Sequence, residues 1–161
     1  MAHTQKISTC LWFNDDAEEA VSFYVSLFED SRITGLSRYG KGTPMPEGSV
    51  LTITFDLADT EFMALNGGPH FKFTEASSMV VRCETQAEID RLWAALQSGG
   101  GCEHRCGWLK DRYGLSWQIV PARLREMMLD PDAEKTNRVM AAIMGMVKLD
   151  INALEKAYKG A

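Results

Sequence analysis

Cys102, His104 and Cys106 alternate along a stretch that reads as a β-strand, so all three are expected to project from one face. Thiolates and an imidazole together suit a soft metal such as zinc. A closed zinc site takes four ligands, and His70 or Cys10 would have to be brought in by the fold. Strand periodicity next to a glycine-rich entry explains the same spacing without a metal, and that reading is preferred. Cys106 also shares its expected strand face with Trp108, where it could act as a pocket thiol. A reactive cysteine needs a cation or helix N-terminus beside it, and only His104 and Lys110 share that face. Glu61 is the remaining titratable candidate on a strand, and His3 is set aside as part of the N-terminus. Cys10 and Cys83 lie inside apolar strand-like segments and are expected to be buried, reduced thiols. Four cysteines among 161 residues are too few for a disulfide scaffold.

The elements that must position these residues fall into two similar halves. Ile7 to Phe13 is an apolar, β-prone run. Asn14-Asp15-Asp16 then offers capping oxygens to a helix whose Ala17, Ala20, Val21, Tyr24, Leu27 and Phe28 share a face. Arg32 to Tyr39 reads as a strand, Lys41 to Gly48 as a Gly- and Pro-containing loop, and Leu51 to Leu57 alternates with the period of two of a half-buried strand. Glu61 to Leu65 completes a βαβββ half. Asn66-Gly67-Gly68-Pro69 reads as a polar loop leaving that strand.

The second half repeats the order. Ser78 to Cys83 is a strand, Thr85-Gln86-Ala87-Glu88 has the form of a capping box, and Ile89, Leu92, Trp93 and Leu96 make a helical stripe ended by Gly99-Gly100-Gly101. Strands follow near Cys102 to Lys110 and from Leu115 to Val120, joined by a hairpin turn at Asp111-Arg112-Tyr113-Gly114. This half is at least βαββ. Trp12, Trp93 and Trp117 are expected in the core, with Trp108 facing a cavity.

Past Pro121 the pattern turns helical. Asp130-Pro131-Asp132 stops one helix and starts another, and Asp150 is placed to cap a last one. The expected domain organisation is a domain over 1–121, with modules at about 5–68 and 76–121, and a helical extension over 122–161. Whether that extension packs on its own chain or across a dimer is left open by the sequence.

Composition narrows the partners. A net charge of −5 with scattered basic residues argues against nucleic acid and anionic membranes, whose binding rests on clustered Lys and Arg. No segment approaches a bilayer-spanning length and the N-terminus lacks a signal-type apolar core, so a cytoplasmic protein is expected.

Leu11-Trp12-Phe13 precedes a helix bearing Phe23-Tyr24-Val25-Ser26-Leu27-Phe28. Cys83-Glu84-Thr85-Gln86 with Trp93, Gly107-Trp108-Leu109-Lys110-Asp111, Ser116-Trp117-Gln118-Ile119-Val120-Pro121, and Asp130-Pro131-Asp132 with Arg138-Val139-Met140 follow in order. Together these motifs resemble the PhnB-like, 3-demethylubiquinone-9 3-methyltransferase-like branch of the vicinal oxygen chelate superfamily. The resemblance implies an α+β fold of two βαβββ modules forming a cupped mixed sheet, with the C-terminal helices added to it. It also implies a homodimer, a state common among small superfamily members; the Met-rich tail would supply the apolar surface.

Superfamily enzymes chelate a divalent metal with His or Glu on inward-facing strands. The corresponding positions here, as the resemblance implies them, are Thr9, then Ser78 or Met79, then Phe62 or Met63, then Gln118. Hydroxyls and a carboxamide are poor substitutes for carboxylates, so no metal and no cofactor are expected. The methyltransferase label is discounted, because Gly40-Lys41-Gly42 opens no helix as a nucleotide-binding glycine loop would.

The leading functional expectation is therefore a metal-free small-molecule-binding protein whose cavity is lined by Thr9, Leu11, Met63, Ser78, Trp108, Ser116 and Gln118. Two alternatives stand beside it. One is an enzyme of unassigned reaction (lyase, oxygenase or transferase type) using Glu61, His104 or Cys106. The other is a ligand-free dimeric scaffold associating through Met127, Met128, Met140, Met144 and Met146.

Overall fold

Alternating burial shapes each half of the chain into a sheet with one helix-covered face. The computed structural model describes residues 5–161, so His3 lies outside the described residues. The chain divides into two compact units, one ending at Lys72 and one running Phe73–Ala161.

The first unit contains β1 (Thr9–Phe13), α1 (Ala17–Leu27), β2 (Arg32–Arg38), β3 (Val50–Leu57) and β4 (Thr60–Asn66). Its sheet has the order β1-β4-β3-β2, with β1 and β4 parallel and the other pairs antiparallel. α1 buries Ala17, Ala20, Val21 and Tyr24 completely and packs on β3 and β4. Ile53, Phe55, Phe62 and Ala64 form the opposing apolar layer, as register partners on one face.

The expected cap of α1 is replaced by another residue. Asp16 at the N-cap position makes no side-chain cap bond, having φ −106° and ψ 17° in place of the extended backbone that a capping side chain uses. Instead the buried Asn66 at the end of β4 accepts the Ala17 N–H on Oδ1 at 2.9 Å and donates Nδ2 to the Val50 carbonyl at 3.1 Å. Asn66, read from sequence as loop, ties helix to sheet.

The second unit contains β5 (Ser78–Cys83), α2 (Gln86–Gln97), β6 (Cys102–Glu103), β7 (Trp108–Lys110), β8 (Ser116–Pro121), α3 (Leu124–Met128), α4 (Ala133–Met144) and α5 (Ile151–Lys159). Its sheet repeats the first topology as β5-β8-β7-β6, with β5 and β8 parallel. The expected capping box at α2 forms in part: Thr85 Oγ1 accepts the Glu88 N–H, while the Glu88 carboxylate accepts the N–H of Glu84, one residue before the N-cap. Leu109, Trp117 and Ile119 are buried on the α2 side with Ile89, Leu92 and Leu96. Gly114, at φ 87°, closes the expected Asp111–Gly114 turn.

The strand expected over Cys102 to Lys110 is interrupted. Cys106 and Gly107 both adopt positive φ, 64° and 78°, and the chain turns there between β6 and β7. The interruption supplies the third strand that makes this half βαβββ.

The C-terminal helices pack within the second unit. Val120, Met127, Val139, Ile143, Leu149 and Leu154 form one buried cluster. Asp132 and Asp150 cap α4 and α5 as their positions suggested. The turn before β7 is held to this tail by main-chain bonds from Cys106 N–H to Met146 O, 2.9 Å, and from Gly107 N–H to Val147 O, 2.7 Å. Among the described residues no helix is long and apolar enough to cross a membrane.

Candidate functional site

The face of the second sheet that α2 leaves uncovered carries a polar row. β5 and β8 run parallel with Ser78 opposite Ser116, Val80 opposite Gln118 and Arg82 opposite Val120. On the other side of β8, Trp108 pairs with Gln118 and Lys110 with Ser116. Because register partners share a face, Ser78, Trp108, Ser116 and Gln118 stand together, as four of the seven expected lining residues.

Gln118 donates Nε2 to Ser78 Oγ at 2.9 Å, which leaves its carboxamide oxygen and the Ser78 hydroxyl hydrogen for other partners. Ser116 is 1% exposed, and its Oγ has no hydrogen-bond partner among the described residues. A buried hydroxyl left unsatisfied costs about 1–3 kcal/mol, so its position on this row calls for an explanation. At the same end Lys110 Nζ meets Glu75 Oε1 at 2.5 Å, and this bond holds the Glu75 carboxyl below its usual range.

The other three residues belong to the first unit and do not share a face. Thr9 pairs with Phe62 and Leu11 with Ala64, so both lie on the side of the sheet that α1 covers, and Leu11 is 5% exposed. This corrects their expected orientation toward a cavity. Cys10 to Phe13 are apolar without alternation and so do not show the strand's phase, and a one-residue slip exchanges the faces of a strand. Leu11 and Phe13 are consumed by the core, leaving Cys10, Trp12, Met63 and Leu65 on the opposite face. Met63 thus faces away from α1. Trp12 is half-buried there, not in the core, and Cys10 is exposed, not buried, although partial burial still raises its thiol pKa.

The alternative chemical groups are dispersed. Cys102 Sγ and His104 Nε2 approach to 3.6 Å at an exposed position, but Cys106 packs against the C-terminal helical cluster. The positive φ at Cys106 breaks the alternation that placed all three on one face and put Cys106 beside Trp108. Glu61 lies on β4 opposite Asp56, a second acid, in the other unit. Among the described residues no three His, Cys, Asp or Glu side chains gather where they could hold a metal ion.

Cys83 is buried at the end of β5, and desolvation, with Glu88 a smaller contributor, pushes its thiol up to about 12. At pH 8 under native conditions iodoacetamide is expected to leave Cys83 unmodified and to label it once urea unfolds the unit. Because the folded pKa is raised, the protonated thiol's contribution to stability is complete below about pH 9 and is lost as pH rises toward 12. Native labelling of Cys83 at pH 8 at the rate of the exposed cysteines would contradict this burial.

The model of a family described as 3-demethylubiquinone-9 3-methyltransferase matches residues 5–120. The chain is similar to the PhnB protein of Bacillus cereus, with 41% identity, a TM-score of 0.67, and coverage of 72% of this chain and 99% of that one. Protein PA1353 of Pseudomonas aeruginosa shares 21% identity with a TM-score of 0.60, covering 73% of this chain and 98% of that one. The fosfomycin resistance protein FosX of Listeria monocytogenes, solved with Mn(II) and sulfate, shares 10% identity at a TM-score of 0.52, over 80% of this chain and 97% of that one. The last two likenesses concern the fold. None of the curated proteins matches the chain.

Proposed function

Because the chain belongs to the PhnB-like, 3-demethylubiquinone-9 3-methyltransferase family of the vicinal oxygen chelate superfamily, we propose that it is a small-molecule-binding protein without a resident catalytic metal. The ligand sits on the uncovered face of the second sheet. The observation that carries this reading is the buried, unpartnered Ser116 hydroxyl beside the Ser78–Gln118 hydrogen bond. These groups can donate to and accept from a ligand oxygen, while Trp108 offers an apolar surface next to them.

The donor set does not fit a divalent ion. A FosX structure holds Mn(II), whereas here the row presents two hydroxyls and a carboxamide, and no anionic ligand balances a cation's charge. Nor does methyl transfer from a nucleotide cofactor find support in this architecture. Gly40-Lys41-Gly42 lies in the loop between antiparallel β2 and β3 and opens no helix, unlike the glycine loop of a nucleotide-binding sheet.

Native mass spectrometry of protein purified without added ligand is expected to show a small-molecule adduct, and Gln118→Glu should abolish it, because a carboxylate cannot donate the hydrogen bond to Ser78 and sets a negative charge against a ligand oxygen. After dialysis against Mn(II) or Zn(II), elemental analysis should find sub-stoichiometric metal in both the parent protein and Gln118→Glu. The absence of any adduct would refute ligand binding, and one metal per chain would refute the metal-free site.

A homodimer is also proposed, on the exposed apolar side chains of Met140 and Met144, one turn apart on α4, and of the nearby Val147. Light scattering at micromolar concentration should give twice the chain mass; a monomer mass would rule the pairing out.

A further inference from the structure

Continuing along the same face past Gln118, the polar row gives way to a recess of about 180 Å³. Arg82 from β5 and Arg125 from α3 line it with Gln118, against apolar walls that include Val80, Leu124 and Met128. No acidic side chain lines it, although the chain as a whole carries a net charge of −5. Neither guanidinium has a hydrogen bond or ion pair with any described residue. Two other arginines of this unit are engaged: Arg123 pairs with Glu155 and Glu126, and Arg138 donates to the carbonyls of Ala157 and Tyr158.

We infer that this recess takes a small organic carboxylate of about benzoate size, its head at Arg82 and Arg125 and its apolar body along Val80 toward Trp108. The inference rests on the ligand-binding reading above and adds the ligand's class and direction. Three features carry it. A guanidinium fork matches a planar carboxylate with two parallel hydrogen bonds. The apolar walls favour an organic body over a bare inorganic anion. A cavity of about 150 Å³ admits benzene, so the recess, with the sheet face beyond it, accommodates one ring and a small head. The direction follows from charge: at the opposite end of the row Lys110 is already neutralised by Glu75, which leaves the anion's place at the arginines.

Calorimetric or NMR titration at low salt with benzoate, benzamide, benzylamine and inorganic sulfate tests this. Benzoate should bind at least roughly tenfold more tightly than benzamide, the scale of one charge-assisted hydrogen bond, and should move the amide signals of Val80, Gln118 and Arg125. Benzylamine should not bind. Arg82→Gln and Arg125→Gln should each weaken benzoate roughly tenfold and leave benzamide unchanged. If either variant melts early, Arg82→Lys and Arg125→Lys keep the charge and should keep the preference for benzoate over benzamide. Equal binding of benzoate and benzamide, insensitivity to both arginine variants, or no benzoate binding would overturn the inference. Sulfate binding as tightly as benzoate would overturn the organic class. A lost carboxylate preference with the Gln118-dependent adduct intact sinks this inference alone; loss of that adduct sinks the function reading as well.

Discussion

Asp111→Ala is expected to destabilise the second unit by about 3–5 kcal/mol. Asp111 is 3% exposed. One carboxylate oxygen accepts the Tyr113 and Leu115 N–H groups at 2.9 and 3.1 Å, and the other accepts the Trp117 indole N–H at 2.9 Å. A single side chain thus organises the turn and ties it to the buried tryptophan of β8. Alanine removes all three bonds and leaves buried donors unpaired, each at about 1–3 kcal/mol when nothing replaces the acceptor. Asp111→Asn should lose less, because one acceptor oxygen remains. Urea unfolding followed by tryptophan fluorescence measures both variants, and a loss below about 1 kcal/mol for alanine would show that the network contributes little.

Gly67→Ala is expected to cost the first unit about 2–4 kcal/mol. A Cβ at this position would lie 2.2 to 2.5 Å from the six-membered ring of Trp12, inside any tolerable contact. Trp12 is held by its indole N–H donating to the Gly68 carbonyl at 2.9 Å and by an edge-on contact with Phe71, with centroids 4.9 Å apart. The ring must move, and both contacts go with it. In a Trp12→Ala background the same glycine substitution should cost under about 1 kcal/mol, since the clash no longer exists. Equal costs in the two backgrounds would place the effect in the backbone.

The two-module fold was legible because it rests on local signals: helical stripes such as Ile89-Leu92-Trp93-Leu96, the Thr85–Glu88 capping box, and the glycines that end α2. Asp132 and Asp150 likewise announced the caps of α4 and α5 through their place before apolar stripes. The polar row was legible for the same kind of reason. Gln118 and Ser116 lie two apart on a strand whose intervening residues are apolar, so their shared face follows from the pleat.

What escaped depended on contacts distant in sequence. Asn66 caps a helix that begins 49 positions earlier, and nothing in the Asn-Gly-Gly-Pro run signals that reach. The phase of β1 is set by α1, not by its own apolar residues, which do not alternate. The break at Cys106 depends on positive φ at a non-glycine residue, which a strand-like alternation of Cys, His and Cys conceals. Arg82 and Arg125 could not be joined from sequence, because one sits in a strand and the other in a helix past Pro121. A charged Arg82 inside the otherwise apolar run Met79 to Cys83 was the available signal for the first of them.

The main-chain bonds between the Cys106–Gly107 turn and the segment at Met146 and Val147 make the tail separately observable. Neither amide belongs to a strand pair, so deuterium uptake at these two positions times the release of the tail, whereas uptake within β8 times the opening of the sheet. If the two rates agree under native conditions, the forty residues beyond Pro121 and the strands they lean on come apart as one cooperative body. If the turn exchanges first, the helices detach while the sheet and its polar row stay assembled.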